Sequence, residues 1–385
     1  MLIQVTKKLR DELKIKNLVE AETSKDQLFC WHANIIRIER RKVIVMTNNA
    51  ARYTVVLYGL KKNDFKNIAE LIKSAIRETF TVEGVKEKII ESYLNEFEEI
   101  EFSKTKSHSQ VARMNHSCKE AQFFHDEYIQ DKKVQSYISR KLSHRIVTEK
   151  DSDDYYTPGE RLNEKLEEYY GESPVKINGA VIKVDLELGE YSAWRKVIVP
   201  LNYYFYDLHK VIQNLYNWMD YHLHEFFVYS EEKDESKSWN QAEYHRDAYK
   251  AAYNIVMNEE NLEYNKHELN YEGEDFELSL EKDSLLKDYL PARIKYIYDY
   301  GDNWELYLEV EEIIEDYNKY QSEFLEGAGT APPEDVGGVP GFSRFMEIIS
   351  DPEHEEHEMM SEWAKSQGFE EYDPEQIKRN LRIHL

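Results

Sequence analysis

Cysteine is almost missing from this chain. Cys30 and Cys118 stand alone among 385 residues, which excludes a disulfide framework and a four-cysteine zinc site within one chain. Long apolar runs are missing as well: none approaches the roughly 20 residues that cross a bilayer. The Met1 end, MLIQVTKKLR, carries no signal-peptide pattern. Several signatures of chemistry are also absent. There is no G-x-x-x-x-G-K-[ST], no G-x-G-x-x-G after a strand and no G-x-S-x-G elbow. A cytoplasmic protein with no membrane contact is therefore expected.

What is present suffices for a packed core. Apolar residues make up 41% and charged residues 32% of the chain, a balance that argues against disorder. Charge is unevenly distributed. Residues 1–150 carry 28 Lys and Arg against 21 Asp and Glu, about +7, and residues 151–385 carry 22 against 54, about −32. An acidic field over the C-terminal part repels phosphates, so nucleic acid is expected to bind through residues 1–150 or not at all. Solubility alone also accounts for an acidic surface.

Residues 1–130 read as one α+β domain. Leu2, Ile3 and Val5 predict an edge strand, and Leu9 and Leu13 predict a helix over 7–18. Val43–Met46 and Tyr53–Tyr58 predict a hairpin about Thr47-Asn48-Asn49. Asp64 stands at an N-cap position before the stripe Phe65, Ile68, Ala69, Ile72, Ala75 and Ile76. Residues 131–174 read as a charged helical linker, with a boundary at Asp151-Ser152-Asp153-Asp154.

Residues 175–385 read as a second α+β domain. Val181–Leu186 and Val197–Val199 predict a hairpin, and Leu208–Met219 a helix capped by Asp207. Phe226–Tyr229 predicts a strand, Glu231–Ser238 a surface loop and 239–258 a helix. Ile294–Tyr298 and Tyr307–Val310 flank the turn Asp299-Tyr300-Gly301-Asp302. The last 45 residues read as helical except for a loop over 325–341. The fold class expected is α+β with two domains, each a small, mostly antiparallel sheet packed with helices.

Several segments of the second domain, in this order, resemble the plasmid pRiA4b ORF-3-like family. They are AWRKVIVP (193–200), DLHKVIQNLYNW (207–218), HLHEFF (222–227), IKYIYDYGDNWELYLEVE (294–311), EGAGTAPPEDVGGVPGF (326–342), DPEHEEHEMMSEW (351–363) and GFEEYDPEQI (368–377). The resemblance covers about 180–385. It implies a mobile-element or defence-locus context and no established reaction. The chain departs from the family pattern where Leu306 replaces a histidine after Trp304-Glu305, and where Ala331 and Val336 replace cysteines flanking the Pro-Pro-Glu-Asp segment. Stretches such as CWHANIIRIERRKVIVMTNN (30–49) and RYTVVLYGLKKNDFKN (52–67) resemble another uncharacterised bacterial domain.

The strongest polar constellation is Asp299, Asp302, Glu334 and Asp335: two carboxylates on one tight turn and two in a loop rich in glycine and proline. Together they can hold Mg²⁺ or Ca²⁺ or supply a general acid and base. The competing reading is turn chemistry, with Asp bonding local backbone N–H groups. Trp194, Trp218 and Trp304 are expected in the core. Trp194-Arg195 can also form a stacking and anion-binding surface. His209, His222 and Trp304 complete the candidate binding residues. His354 and His357 have an i,i+3 spacing that suits two metal ligands on one helix face. Cys30 beside Trp31 reads as core packing.

Two functions follow from these readings, one non-enzymatic and one enzymatic. The first is a non-catalytic binding or accessory protein with a protein partner. The second is a metal-assisted hydrolase or nucleotide-processing enzyme centred on Asp299, Asp302, Glu334 and Asp335. No cofactor is expected beyond the divalent metal that those carboxylates allow.

Overall fold

The structure, a computed structural model, describes residues 1–15, 17–20, 26–97, 99–148, 155–233, 249–272 and 276–383. The chain divides into two compact units, Met1–Lys176 and Ile177–Leu385. Both are α+β.

The first unit begins with β1 (Leu2–Val5), α1 (Lys7–Leu13), β2 (Cys30–Ile38), β3 (Arg41–Asn48) and β4 (Thr54–Leu57). It continues with α2 (Ile68–Val82), α3 (Glu87–Asn95), β5 (Glu101–Lys104), α4 (His108–Phe123) and α5 (Ser136–Ser143). The short pair β6 (Val147–Thr148) and β7 (Tyr155–Tyr156) precedes α6 (Pro158–Tyr170). Five strands form one sheet in the order β4-β3-β2-β1-β5. β1 is thus an interior strand, parallel to both neighbours, and not the edge strand its sequence predicts. All four of its residues are buried, as a strand flanked and covered on both sides must be. Side-chain alternation sorts β2: Trp31, Ala33 and Ile35 enter an apolar core with Ile72, Ile76 and Phe80 of α2. Cys30, His32 and Asn34 take the opposite face, where Asn34 donates to Asn115 Oδ1 of α4.

Three local expectations change in this unit. α1 stops at Leu13 because Lys14 adopts a left-handed conformation, φ 54°. Asp64 does not cap α2; it opens a 3₁₀ turn and accepts the Lys61 N–H at 2.6 Å. Residues 131–174, read as a linker, carry α5 and α6, and Val134, Leu162 and Leu166 sit in the core of this unit. α6 starts on a reciprocal Thr157–Glu160 capping box with Pro158 at its first position, and Gly171 ends it. The candidate boundary Asp151–Asp154 lies outside the described residues.

The second unit contains β8 (Gly179–Leu188), β9 (Tyr191–Pro200), α7 (Phe205–Tyr216), β10 (His224–Lys233), β11 (Tyr249–Val256), α8 (Glu259–Glu272) and β12 (Glu277–Leu280). After these come β13 (Arg293–Tyr298), β14 (Trp304–Ile314), β15 (Glu323–Ala328), α9 (Gly338–Ser350), α10 (His357–Ser366) and α11 (Pro374–Ile383). Eight strands form a sheet in the order β12-β11-β10-β13-β14-β8-β9-β15. Of these pairings only β11 with β12 is parallel. Leu208, Val211, Ile212 and Leu215 of α7 pack into a core with Ile182, Val184, Phe226, Tyr296 and Leu306 from the sheet.

The predicted hairpins β8–β9 and β13–β14 are both present. The helix expected over 239–258 is not: Tyr249–Val256 is a strand paired with β10, and 239–248 lie outside the described residues. The period-two placement of Tyr253 and Ile255 against the core favours the strand. Of the loop expected over Glu231–Ser238, residues 231–233 extend β10 and the rest lie outside the described residues. Asp207 is not the cap of α7 but its third residue, accepting the Tyr204 N–H at 2.8 Å. α7 ends at Tyr216 because Asn217 turns left-handed, φ 56°. Met219 is therefore outside the helix.

The loop expected over 325–341 is shorter, because β15 runs to Ala328 and α9 starts at Gly338. Arg195 explains the strand end. Its buried guanidinium donates to the carbonyls of Trp194, Leu215, Ala328 and Gly329 at 2.8–3.0 Å. Tyr216 and Tyr372 lie over it at 5.0 and 4.5 Å. The remaining loop, 329–337, closes on the β13–β14 turn. Gly337 and Gly338 have φ of 94° and 66°, and a Cβ on Gly338 would come within 2.7 Å of the Asp302 carbonyl oxygen.

Gly338→Ala is therefore expected to destabilise the unit by about 2 kcal/mol, and Gly337→Ala, with open space around it, by about 1 kcal/mol. Chemical denaturation of the two variants checks this; unchanged midpoints for both would mean that the loop has no fixed path.

Candidate metal centre

Three connections of the second unit converge: the turn 299–303 between β13 and β14, the segment 217–223 between α7 and β10, and the loop 329–337. Asp299 has a left-handed φ of 55°. Its N–H donates to the Leu223 carbonyl at 2.9 Å, and its Oδ1 accepts the Gly301 N–H at 2.9 Å. That turn bond occupies one carboxylate oxygen and leaves Oδ2 directed elsewhere. Asp302 departs from the group, since its Oδ2 accepts the Gly337 N–H at 3.0 Å and fixes the loop against the turn.

Glu334 is the most constrained carboxylate. It is 1% exposed. Its Oε1 accepts the Met219 N–H at 2.8 Å and the Tyr298 hydroxyl at 3.0 Å. The Met219 N–H is available because α7 has already ended. Its Oε2 is buried and has no hydrogen-bond partner. Burial, opposed by the Met219 N–H and the Tyr298 hydroxyl, pushes the Glu334 carboxyl above the ordinary glutamate range. The Tyr298 phenol is likewise pushed well up, by burial first and by Glu334 second.

His222 faces these groups. Its Nε2 is 3.4 Å from Asp335 Oδ1, 3.6 Å from Asp299 Oδ2 and 3.8 Å from Glu334 Oε2. Yet this buried nitrogen makes no hydrogen bond. Ligand atoms of His222, Asp299 and Asp335 all lie within 4.8 Å of one another. Ligands about 2.1 Å from one tetrahedral ion stand about 3.4 Å apart, close to the two His222–aspartate distances, which are long for direct hydrogen bonds. The side chain of Asp335 is 60% exposed and that of His222 25%, so one side of the group opens to solvent.

A second cluster, His209, Asp220 and His224, also brings three candidate ligands within 4.8 Å. Here the hydrogen bonds are already made. The Tyr296 hydroxyl accepts from Gln213 Nε2 at 3.1 Å, so it donates to His209 Nδ1 at 2.8 Å. His209 Nε2 then donates to Asp220 Oδ1 at 2.8 Å. Burial, and then His224, depress the His209 pKa to about 3, which keeps this histidine neutral. For Asp220, burial acts upward but His209 and Lys210 outweigh it, holding the carboxyl well below its usual range. The His209 and His224 rings stack at 3.6 Å with planes 4° apart. Imidazole lone pairs lie in the ring plane, so one ion cannot meet both rings well. This cluster ties the 217–223 segment to α7.

The structure thus brings together Asp299, Glu334 and Asp335, adds His222 to them and leaves out Asp302. Trp304 and Trp218 are buried in the core, but Trp194 is half-buried on the outer face with Lys183 beside its ring. Strand alternation dictates this, because its neighbour Arg195 takes the inner face. Arg195 donates to four backbone carbonyls. His354 precedes α10, whose first residue is His357, and its Nδ1 accepts the Glu356 N–H at 3.1 Å. The shared helix face expected for the two histidines does not exist. Leu306, where the family pattern has histidine, lies fully buried in the core.

Comparison with known proteins adds the following. Residues 178–381 match the family described as Plasmid pRiA4b ORF-3-like protein, and residues 2–161 match a domain of unknown function, DUF6933. Uncharacterized protein y4hQ of Sinorhizobium fredii is 29% identical over 189 residues, covering 49% of this chain and 82% of that protein. The crystal structure of a protein of unknown function, MM3350 from Methanosarcina mazei Go1, is 28% identical, covering 52% of this chain and 97% of that one, with a TM-score of 0.38.

A carboxyl whose folded pKa is raised contributes its stability below the unfolded value, near 4.3 for glutamate, and loses it as pH rises through the folded value. In EDTA, wild-type stability relative to Glu334→Gln is therefore expected to fall as pH rises from about 4 toward 8. Paired thermal melts check this; a pH-independent difference would contradict the buried, half-satisfied state of Glu334.

Proposed function

The chain belongs to the plasmid pRiA4b ORF-3-like family, and we propose that its second unit is a divalent-cation centre of a metal-assisted hydrolase. His222, Asp299 and Asp335 are the ligands, and Glu334 is the general base. One observation carries this reading: two buried polar atoms, His222 Nε2 and Glu334 Oε2, face each other at 3.8 Å without hydrogen bonds, among carboxylates at ligand spacing. Buried polar atoms of this kind are costly unless something occupies the space between them.

One imidazole with carboxylates suits Zn²⁺, Mn²⁺ or Fe²⁺. Three protein ligands and a solvent-facing side leave coordination positions for water, as catalytic sites do. The cation would acidify that water, and Glu334, made more basic by burial and held by Tyr298 and Met219, is placed to accept its proton. A groove of about 520 Å³ lies beside the loop, lined by Val336, Phe345, Met359, Met360 and Trp363. Val336 directly follows Asp335, and the groove offers room for an apolar part of a substrate.

Calorimetric titration with Zn²⁺ or Mn²⁺ tests the proposal. We expect one ion per chain, an affinity that rises with pH as Glu334 loses its proton, and at least 100-fold weaker binding in His222→Ala and Asp299→Asn. Tyr298→Phe, which touches Glu334 only through Oε1, is expected to cost about 10–100-fold. His354→Ala should match wild type. Absence of binding, or equal binding by the variants, would refute the centre. Ion binding without turnover across a panel of phosphoester and carboxyl ester substrates would favour the alternative, a metal-bound binding or accessory protein of mobile-element or defence loci acting through a protein partner. Among the described residues no helix is long and apolar enough to cross a membrane.

A further inference from the structure

The groove beside the metal centre has a chemistry of its own. Phe345 lines it from α9, and Met359, Met360 and Trp363 line it from α10. The Phe345 and Trp363 rings meet edge to face at 6.2 Å. Two charged side chains also reach the groove, Arg344 and Glu356, and they pair with each other at 2.8 Å. The lining therefore offers a ligand apolar surface and no net charge. Met359 is 62% exposed, and methionine adapts its shape to what it covers. At about 520 Å³ the groove falls within the usual 300–1,000 Å³ of small-molecule sites.

The groove and the metal centre share one piece of backbone. Asp335 has a left-handed φ of 56°. Its carboxylate lies 3.4 Å from His222 Nε2, and the next side chain, Val336, lines the groove. Consecutive α-carbons are about 3.8 Å apart, so a molecule held at the ion has the groove within reach of a few bonds. The join is fixed, because a Cβ on Gly341 would collide with the Val336 carbonyl oxygen and the Gly337 N–H is bonded to Asp302. Charge then selects the reacting group. Asp299 and Asp335 already balance a divalent ion, deprotonated Glu334 adds a further negative charge, and residues 151–385 carry about −32. An anionic phosphoester is repelled by such a site. A neutral carbonyl is not, and the cation polarises it.

We propose that the substrate is a neutral carboxylic ester with an apolar acyl chain, its carbonyl at the cation and its chain along the groove. This inference rests on the metal centre proposed above. A water at the centre gives one proton to Glu334, and its oxygen bonds the carbonyl carbon. The bond from that carbon to the alcohol oxygen then breaks, and the proton passes from Glu334 to the leaving oxygen. The products are a carboxylic acid and an alcohol. Met359, Met360 and Trp363 set the preference for chain length.

The test uses the full chain with one equivalent of Zn²⁺ and calorimetry with alkyl hydroxamates, from acetohydroxamate to octanohydroxamate, which chelate the ion and carry the acyl chain. Affinity is expected to rise about 3-fold per methylene until the groove is filled, leaving octanohydroxamate at least 30-fold tighter than acetohydroxamate. In Met359→Asp, whose exposed position in the first turn of α10 suits an acid, that ratio should fall at least 10-fold. In a parallel assay, 4-nitrophenyl octanoate should be hydrolysed with a higher kcat/KM than 4-nitrophenyl acetate, and bis(4-nitrophenyl) phosphate should not be cleaved. Equal affinities along the series in a chain that binds Zn²⁺ would overturn the acyl groove and leave the metal centre standing. Failure to hydrolyse either carboxylic ester, or cleavage of the phosphodiester, would overturn the substrate assignment in the same way. A chain that binds no Zn²⁺ fails at the centre itself, and the ester assignment falls with it.

Discussion

Glu334 is a carboxylate kept away from water with one of its two oxygens left unbonded, and the architecture of the second unit depends on it. Burying an unpaired ionised group costs several kcal/mol, so such a group takes a proton or finds a cation. Its satisfied oxygen links three segments distant in sequence: the Met219 N–H after α7, the Tyr298 hydroxyl at the end of β13, and the 329–337 loop that carries Glu334 itself. The early end of α7 at Asn217 is what frees the Met219 N–H. The same bonds that fix the segments in place therefore also aim the unbonded oxygen at His222.

The surroundings hold this arrangement rigidly, as a site with fixed geometry requires. Trp218 stacks between Tyr216 and Tyr298 at 5.3 and 4.9 Å, and its ring nitrogen donates to the Pro332 carbonyl at 3.1 Å. Arg195 clamps the far end of the loop through Ala328 and Gly329. Asp302 and Gly338 make the near end fit against the turn. On the other side, the Asp220 N–H donates to Gln213 and the Asp220 carboxylate accepts from His209. His222, two residues later, is consequently placed by a network of neutral and charged groups that does not itself need a metal.

Much of this was legible in the sequence, for identifiable reasons. Tight turns and Gly/Pro loops place carboxylates on fixed backbone, so Asp299, Glu334 and Asp335 could be nominated without coordinates, and His222 stood among the candidate binding residues. The partnership of His222 with the carboxylates was not legible, because it follows from where α7 ends, and left-handed helix endings at Asn are weakly coded. Asp302 lies apart from the other three because two carboxylates three residues apart on a turn need not point the same way. Trp194 and Arg195 could not both face the core once they lay on one strand; parity alone would have decided between them.

The acidic C-terminal part of the chain favours cations. The central claim concerns the cation. Crystals grown with Zn²⁺ and measured at the zinc absorption edge test it most directly. The account predicts one anomalous peak in the second unit, bonded to His222 Nε2 and the Asp299 and Asp335 carboxylates at about 2.0–2.2 Å, with Glu334 Oε2 facing it. A peak between His209 and His224, or none in the second unit, would contradict it.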